Sequence, residues 1–292
     1  MAFIDRAPGA GISRSRRSTP PVRPARMLLH GALLLVLLGM IFPLAWMIVI
    51  SLRESNPDLS SFLPLLAGPF SLHNYSDVLS LNSFGIYFLN SMIVAAAVTL
   101  GNVVFCTMVG YALARRRMPM KRFWTFTVLA MLMVPPQVVM IPLYRLIVAF
   151  HWIDTYWALI VPSLVTPFGI FLMRQYIENL PSEIEDAARI DGAGDWRILF
   201  RIIMPLSRPM LIVLAVYQFM TTWNTFLYPF LFANKDNRRT LTVGLASYLG
   251  NQSIDWGHLM AGASVSAFPV IILFIVFQKQ IIQGMTAGAV KG

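Results

Sequence analysis

The sequence predicts an all-α integral membrane protein with six transmembrane helices and both termini in the cytoplasm. Three observations predict it. Of 292 residues, 57% are hydrophobic and only 12% charged, about half the charged share of a soluble domain. The mean hydropathy is +0.66. Six stretches free of Asp, Glu, Lys and Arg have the length of a membrane crossing: 27–52, 78–114, 123–144, 155–173, 209–234 and 256–278. About 20 apolar residues cross the hydrocarbon core as a helix. Finally, the basic residues fall almost entirely on one set of alternating loops. A single cysteine, Cys106, rules out a disulfide framework or a cysteine-cluster metal site.

The predicted spans are about 27–51, 85–113, 123–144, 155–174, 207–233 and 257–278. The second window exceeds one crossing, and its polar start at Ser80–Ser83 sets the helix back to about 85. The third contains Pro135, Pro136 and Pro142, and the fourth Pro162 and Pro167. Proline removes a backbone donor and clashes one turn back, and in lipid the freed carbonyls need other partners. These two helices are expected to be broken, either as cavity-lining elements or as simple kinks. Residues 59–76 are also uncharged, but Pro64, Gly68, Pro69, His73, Asn74 and several serines are turn chemistry. The segment 53–83 therefore reads as an ordered extramembrane segment, and 240–254 as too short and polar to span.

Orientation follows from the arginines. The N-terminal tail, loop 114–122, loop 174–208 and the C-terminal tail hold 18 of the 23 Lys and Arg residues; the opposite loops hold Arg53, Arg145, Lys235, Arg238 and Arg239. The positive-inside rule places the set of 18 in the cytoplasm. The formal net charge of +10 thus reports topology and implies no nucleic-acid partner. Residues 1–26 form a basic cytoplasmic tail whose Arg, Pro and Ser content predicts disorder. The apolar run after it is too long for a signal peptide. Residues 27–278 form the membrane domain and 279–292 a cytoplasmic C-terminal tail.

Loop 174–208 carries six of the 13 acids: Glu178, Glu183, Glu185, Asp186, Asp191 and Asp195. Ser182 and Glu185 have capping-box spacing, and acids in a first turn suit the helix dipole. A short helix is expected over about 183–191. Gly192 stops it in the left-handed conformation, and Asp195 caps a second helix opening with Trp196. Ala187 and Ala188 give this elbow a small-residue face, and Pro205 and Pro209 mark entry to the fifth span.

The stretch Glu185-Asp186-Ala187-Ala188-Arg189-Ile190-Asp191-Gly192-Ala193, followed by Ile203-Met204-Pro205, resembles the "EAA" signature of permease subunits of bacterial ABC importers. Asp186 stands where that family usually has Glu, and Met204 where it has Leu. Asn90-Ser91, Pro142-Leu143-Tyr144, Phe168 through Gln175, Trp223-Asn224 and the ending Gly284 through Gly292 are similar to the carbohydrate-uptake branch, in particular the second subunit of maltose permeases. The resemblance covers nearly the whole chain and implies the type I ABC importer permease fold. It implies a coupling helix built from Glu185, Asp186, Ala187, Ala188, Asp191, Gly192 and Ala193, seated in a cleft of a dimeric cytoplasmic ATPase, with Glu185 or Asp186 pairing with basic groups there. It also implies a second permease subunit, an extracytoplasmic solute-binding protein, membrane lipid around the spans, and a sugar-like solute moved by alternating access.

The chain holds no phosphate-binding G-x-x-x-x-G-K-[ST] loop among its four lysines. It is therefore not expected to be an enzyme by itself, and no cofactor or metal is expected. Polar residues within spans are Asn90, Asn102, Gln137, Thr166, Gln218 and Asn224. Each is read either as pathway-lining or as a hydrogen-bonding link between helices; Gln137, Asn90, Gln218 and Asn224 are the pathway candidates. Trp223 can stack on a sugar ring or on other aromatics. The alternative function is a self-contained secondary transporter, which calls for inverted repeats and a buried coupling acid. No Asp or Glu lies inside the six windows. An intramembrane enzyme would need a converging nucleophile or metal set, and none is evident.

Overall fold

The computed structural model describes residues 24–53, 68–80, 83–249 and 254–287, with side chains over 26–53, 68–80, 83–249 and 254–280. The tail expected to be disordered, up to residue 23, lies outside the described residues, as does 288–292. The described residues are helical, with no strand among them. They fall into two compact units, Met1–Trp46 and Met47–Gly292. The first holds most of helix α1, Pro24–Ser51.

The second unit is built around α3, Phe84–Arg115. Before it comes α2, His73–Ser80. After it come α4, Lys121–Leu132, and α5, Met140–Ala149. A short α6, Tyr156–Ile160, runs through a tight turn at Val161–Ser163 towards α7, Pro167–Glu178. The elbow helices are α8, Glu183–Ile190, and α9, Asp195–Leu206. Then follow α10, Arg208–Trp223, α11, Leu227–Phe232, α12, Leu241–Ala246, and α13, Trp256–Ala287.

Three buried clusters share α3. Cys106, Tyr111 and Leu113 pack with Ile170, Met173 and Ile177 of α7, Ile198, Leu199 and Ile203 of α9, and Leu214 of α10. Phe84, Tyr87 and Ala95 pack with Val78, Trp223, Leu241 and Ala261. Val94 and Val98 pack with Ile147, Ala158, Leu159 and Phe232. The α3–α7 crossing is close because Gly110 faces it: a Cβ there would lie 2.9 Å from the backbone nitrogen of Arg174 and 2.9 Å from Met173 Cβ. Small residues let membrane helices approach in this way.

Among the described residues, four helices are long and apolar enough to cross a membrane: Arg26–Ser51, Phe84–Arg115, Tyr156–Glu178 and Trp256–Gln280. The pair α9 and α10, bent by 81°, makes a fifth if it is taken as one broken span. The window 123–144 does not form one helix. The chain leaves helical geometry between Leu132 and Met140, with Val138 N–H on the Pro135 carbonyl at 3.0 Å. Pro135 and Pro136 supply no N–H there, which is why the helix stops. Pro142, by contrast, breaks nothing; it sits in the first turn of α5, where a missing N–H loses no intrahelical bond. In the fourth span Pro162 lies in the tight turn and Pro167 opens α7, so that helix is interrupted between them. The last helix continues past the expected end at 278 to Ala287.

Candidate functional site

The elbow between α7 and α10 forms as expected in outline, and its anchoring differs from the expectation in detail. Helix α8 ends in a Schellman motif. Gly192 has φ +78°, its N–H bonds the Arg189 carbonyl at 3.0 Å, and the Ala193 N–H reaches the Ala188 carbonyl at 2.9 Å. The left-handed residue at this position favours glycine. Three acids occupy the first turn of α8, complementing the helix dipole.

The capping box does not form. Ser182 makes no side-chain cap bond and sits at φ −73° and ψ −23°, helical rather than the extended geometry of a cap; Glu185 turns inward instead of reaching back to it. Glu185 is 2% exposed. Its Oε1 lies 2.9 Å from Arg115 Nε, and Arg189 approaches Oε2 at 3.7 Å. Tyr111 Oη donates to Oε2 at 3.1 Å. Arg115 also donates to the Leu180 carbonyl. Burying a carboxylate requires this kind of pairing. Glu185 therefore pins α8 to the end of α3, with its charge matched by Arg115 and Arg189 within the chain. Asp186, at 65% side-chain exposure, pairs among the described residues with Arg189 at 3.4 Å.

Asp195 is likewise not a cap. Gly194 precedes the helix in extended geometry, and Asp195 is its first residue. The Asp195 carboxylate pairs with Arg116, whose guanidinium lies 5.5 Å from the Tyr111 ring centre. Partial burial opposes the Arg116 charge, but the Asp195 hydrogen bond and the neighbouring Tyr111 more than offset it, so its pKa rises above the ordinary arginine value. Two ion pairs thus clamp both halves of the elbow onto Arg115 and Arg116. Sequence reasoning had counted these arginines only as topogenic charge. The available signal was Tyr111 and Arg115, one turn apart on one helix face.

The outer face carries Ile190, 87% exposed, with Ile184 and Trp196 also exposed. The two alanines divide: Ala187 is exposed, while Ala188 and Ala193 pack on the buried cluster beneath. Helix α9 contains a wide turn over Leu199–Ile203, where Pro205 cannot bond the Arg201 carbonyl one turn back. The chain then bends by 81° into α10, with Pro205 and Pro209 on either side of buried Ser207.

The four pathway candidates do not share a hydrogen bond among the described residues. Asn90 is 2% exposed. Its Nδ2 donates to the carbonyls of Asn237 and Arg239 at 3.1 and 2.9 Å, and its Oδ1 accepts from Tyr156 Oη at 2.6 Å. With its side chain so committed, Asn90 is a clamp between α3, α6 and the segment before α12. Gln218 is buried and donates to Thr222 at 3.1 Å. Asn224 caps α10, donating to the Met220 carbonyl at 2.8 Å. Gln137 presents an exposed side chain in the α4–α5 break, beside the Pro136 carbonyl that accepts from Tyr228 at 3.3 Å; Asn224 is exposed too. Asn102 and Thr166 form an interhelical link, Nδ2 to Oγ1 at 3.2 Å. Trp223 donates to the Ser266 carbonyl at 3.1 Å and packs on Phe88 and Phe219, so its ring serves the core.

The described residues form interrupted, apolar helices carrying a surface elbow. Similarity to known proteins gives their class. Residues 106–287 match the family described as the binding-protein-dependent transport system inner membrane component. The chain belongs to that family and is an ABC importer permease subunit, without enzymatic activity of its own. It is 36% identical to the arabinooligosaccharides transport system permease protein of Halalkalibacterium halodurans over 255 residues, 86% of this chain and 91% of that one. It is 35% identical to the trehalose/maltose transport system permease protein of Thermococcus litoralis over 271 residues, 91% of this chain and 96% of that one. A crystal structure of a bacterial ABC transporter involved in the import of the acidic polysaccharide alginate shares the fold, with a TM-score of 0.79 at 21% identity, covering 91% of this chain and 99% of that chain.

Proposed function

We propose that the chain is one permease subunit of a carbohydrate importer, with six spans, cytoplasmic termini, and the α8–Gly192–α9 elbow as the coupling element. The pinned elbow carries the reading. Its inner face is fixed to α3 through Glu185, while Asp186, Ala187 and Ile190 face outward and are free to seat in another protein. Movement of that seat would pass through the bend at Ser207 into α10, a lever between two rigid elements. The sugar class rests on the relatives: those named above carry arabinooligosaccharides and trehalose/maltose in their names.

Helices α4 and α5 supply the sixth crossing in this reading. Together they hold 22 helical residues, about 33 Å at 1.5 Å per residue, which matches the hydrocarbon core. The partners are a second permease subunit, a cytoplasmic ATPase dimer, and an extracytoplasmic binding protein that meets the face carrying α2 and α12. The exposed Gln137 in the α4–α5 break is the residue we assign to the solute pathway. A binding-protein-dependent uptake assay tests the function: cells lacking the gene should lose accumulation of one labelled oligosaccharide and regain it on complementation. Accumulation driven by an ion gradient with the ATPase absent would favour a secondary transporter instead.

A further inference from the structure

A cleft between α5, α11 and α12 has a mixed lining that neither the elbow nor the buried clusters explain. Its volume is about 530 Å³, within the range of about 300–1,000 Å³ usual for small-molecule sites. Tyr144 of α5 and Phe230 of α11 line it, with Asn234, Arg239 and Ser247 from the segments flanking α12. The remaining lining residues are apolar.

The polar groups are held in place without being used up. Asp154 accepts from the backbone N–H groups of Asn234 and Lys235 at 2.6 and 2.8 Å, and Asn90 holds the Arg239 carbonyl at 2.9 Å. Asn234 is exposed, and neither its side-chain amide nor the Tyr144 hydroxyl makes a hydrogen bond among the described residues. Ser247 donates to the Gly244 carbonyl at 2.6 Å and keeps lone pairs to accept with. Arg239 is the one charged lining residue among those described. It donates to Asp236 at 2.8 Å and to the Asn234 carbonyl at 3.4 Å. Its charge is thereby balanced, while guanidinium N–H groups are left over. Both rings are exposed and backed by others: Phe230 stacks on Phe226 at 5.1 Å and Tyr144 on Phe232 at 6.2 Å. Phe232 stacks in turn on Tyr228 at 5.8 Å, whose hydroxyl reaches the Pro136 carbonyl beside Gln137.

We propose that this cleft is a saccharide subsite on the outer side of the membrane domain, selective for an uncharged sugar. Two exposed rings offer flat apolar surface to the C–H face of a sugar ring. The Asn234 amide both donates and accepts, as neighbouring sugar hydroxyls require. A carboxylate or phosphate would call for an uncompensated cation, and the Arg239 guanidinium already has Asp236. A lipid phosphate is disfavoured on the same ground. The stack of Tyr144, Phe232 and Tyr228 joins the cleft to the break that holds Gln137, the residue assigned to the pathway above. The proposal rests on that importer reading and its orientation, and adds where the sugar binds and which class of sugar it is.

The test is cysteine protection in the purified importer complex. Ser247→Cys in a Cys106→Ala background puts one thiol in the cleft with little change of shape, and Lys235→Cys gives an exposed site outside the lining. Maleimide labelling of the permease chain is followed with maltose, trehalose, arabinotriose or diacetylchitobiose added, each also assayed for uptake by intact cells. A sugar that is taken up should slow labelling at position 247 about fivefold when present at about four times its dissociation constant. It should leave position 235 unchanged, and digalacturonate should protect neither. Asn234→Ala and Phe230→Leu should each raise the protecting concentration about fivefold, for the loss of one hydrogen bond or one aromatic face. A transported sugar that gives no protection at position 247 would overturn the subsite and leave the importer reading standing. So would equal protection by digalacturonate, or shielding of position 247 by the binding protein alone with none by sugar. If the complex carries no saccharide at all, both readings fall.

Discussion

Replacing Glu185 with alanine tests the anchoring of the elbow. The change leaves Arg115 Nε without the carboxylate 2.9 Å away and Tyr111 Oη without its acceptor at 3.1 Å. Removing one partner of a buried ion pair costs about 3–5 kcal/mol. The low end applies, because the Arg115 side chain keeps 17% exposure and its bond to the Leu180 carbonyl. About 3 kcal/mol corresponds to a roughly 150-fold increase in local opening. The neighbouring Asp186→Ala removes only an exposed pair with Arg189, worth under about 0.5 kcal/mol. Hydrogen exchange of the amides over 183–198 in the assembled complex should therefore accelerate about a hundredfold in the first variant and change little in the second. Replacing both members of the pair, Arg115→Met with Glu185→Leu, should recover most of the protection, since apolar pairs often substitute for buried ionic ones. Equal exchange in Glu185→Ala and Asp186→Ala would refute the reasoning.

Other substitutions give separate tests. Gly192→Pro fixes φ near −65° where the chain needs +78°; transport should be lost while the protein still inserts, as read by uptake and membrane immunoblot. Gly110→Leu drives a side chain into the Arg174 backbone and should abolish the folded state, seen as loss of a monodisperse peak in detergent. Asn90→Leu breaks three hydrogen bonds, each worth about 1 kcal/mol net, and should lower the thermal midpoint of the purified complex. Gln137→Ala should leave that midpoint unchanged and alter the solute concentration for half-maximal uptake.

What was legible in the sequence follows the range of the interactions involved. The long apolar helices α1, α3 and α13 stand out because a charge-free run long enough to cross a membrane is visible in every residue it contains. The elbow was legible because its determinants are local: the first-turn acids, the left-handed Gly192 and the two prolines act within a turn of where they sit. Glu185 was misread because its spacing from Ser182 fits a capping box, and its real partners, Tyr111 and Arg115, lie about 70 residues away. Asn90 is similar; the carbonyls it bonds belong to residues 147 and 149 positions further on. Proline positions showed where helices were at risk, but only local register decides whether a given proline breaks one, as Pro135 does and Pro142 does not.

The central claim is that the outer face of the elbow seats against a cytoplasmic ATPase. Cys106 is the only cysteine and is buried, so Ile190→Cys in a Cys106→Ala background is a single-site probe. Treating native membranes with a bifunctional thiol reagent, with Trp157→Cys as a control site, reads the contact directly. The account predicts a permease–ATPase adduct from position 190 and none from position 157. An adduct at 157 with none at 190, or labelling of position 190 by an impermeant reagent added outside the cell, would contradict it.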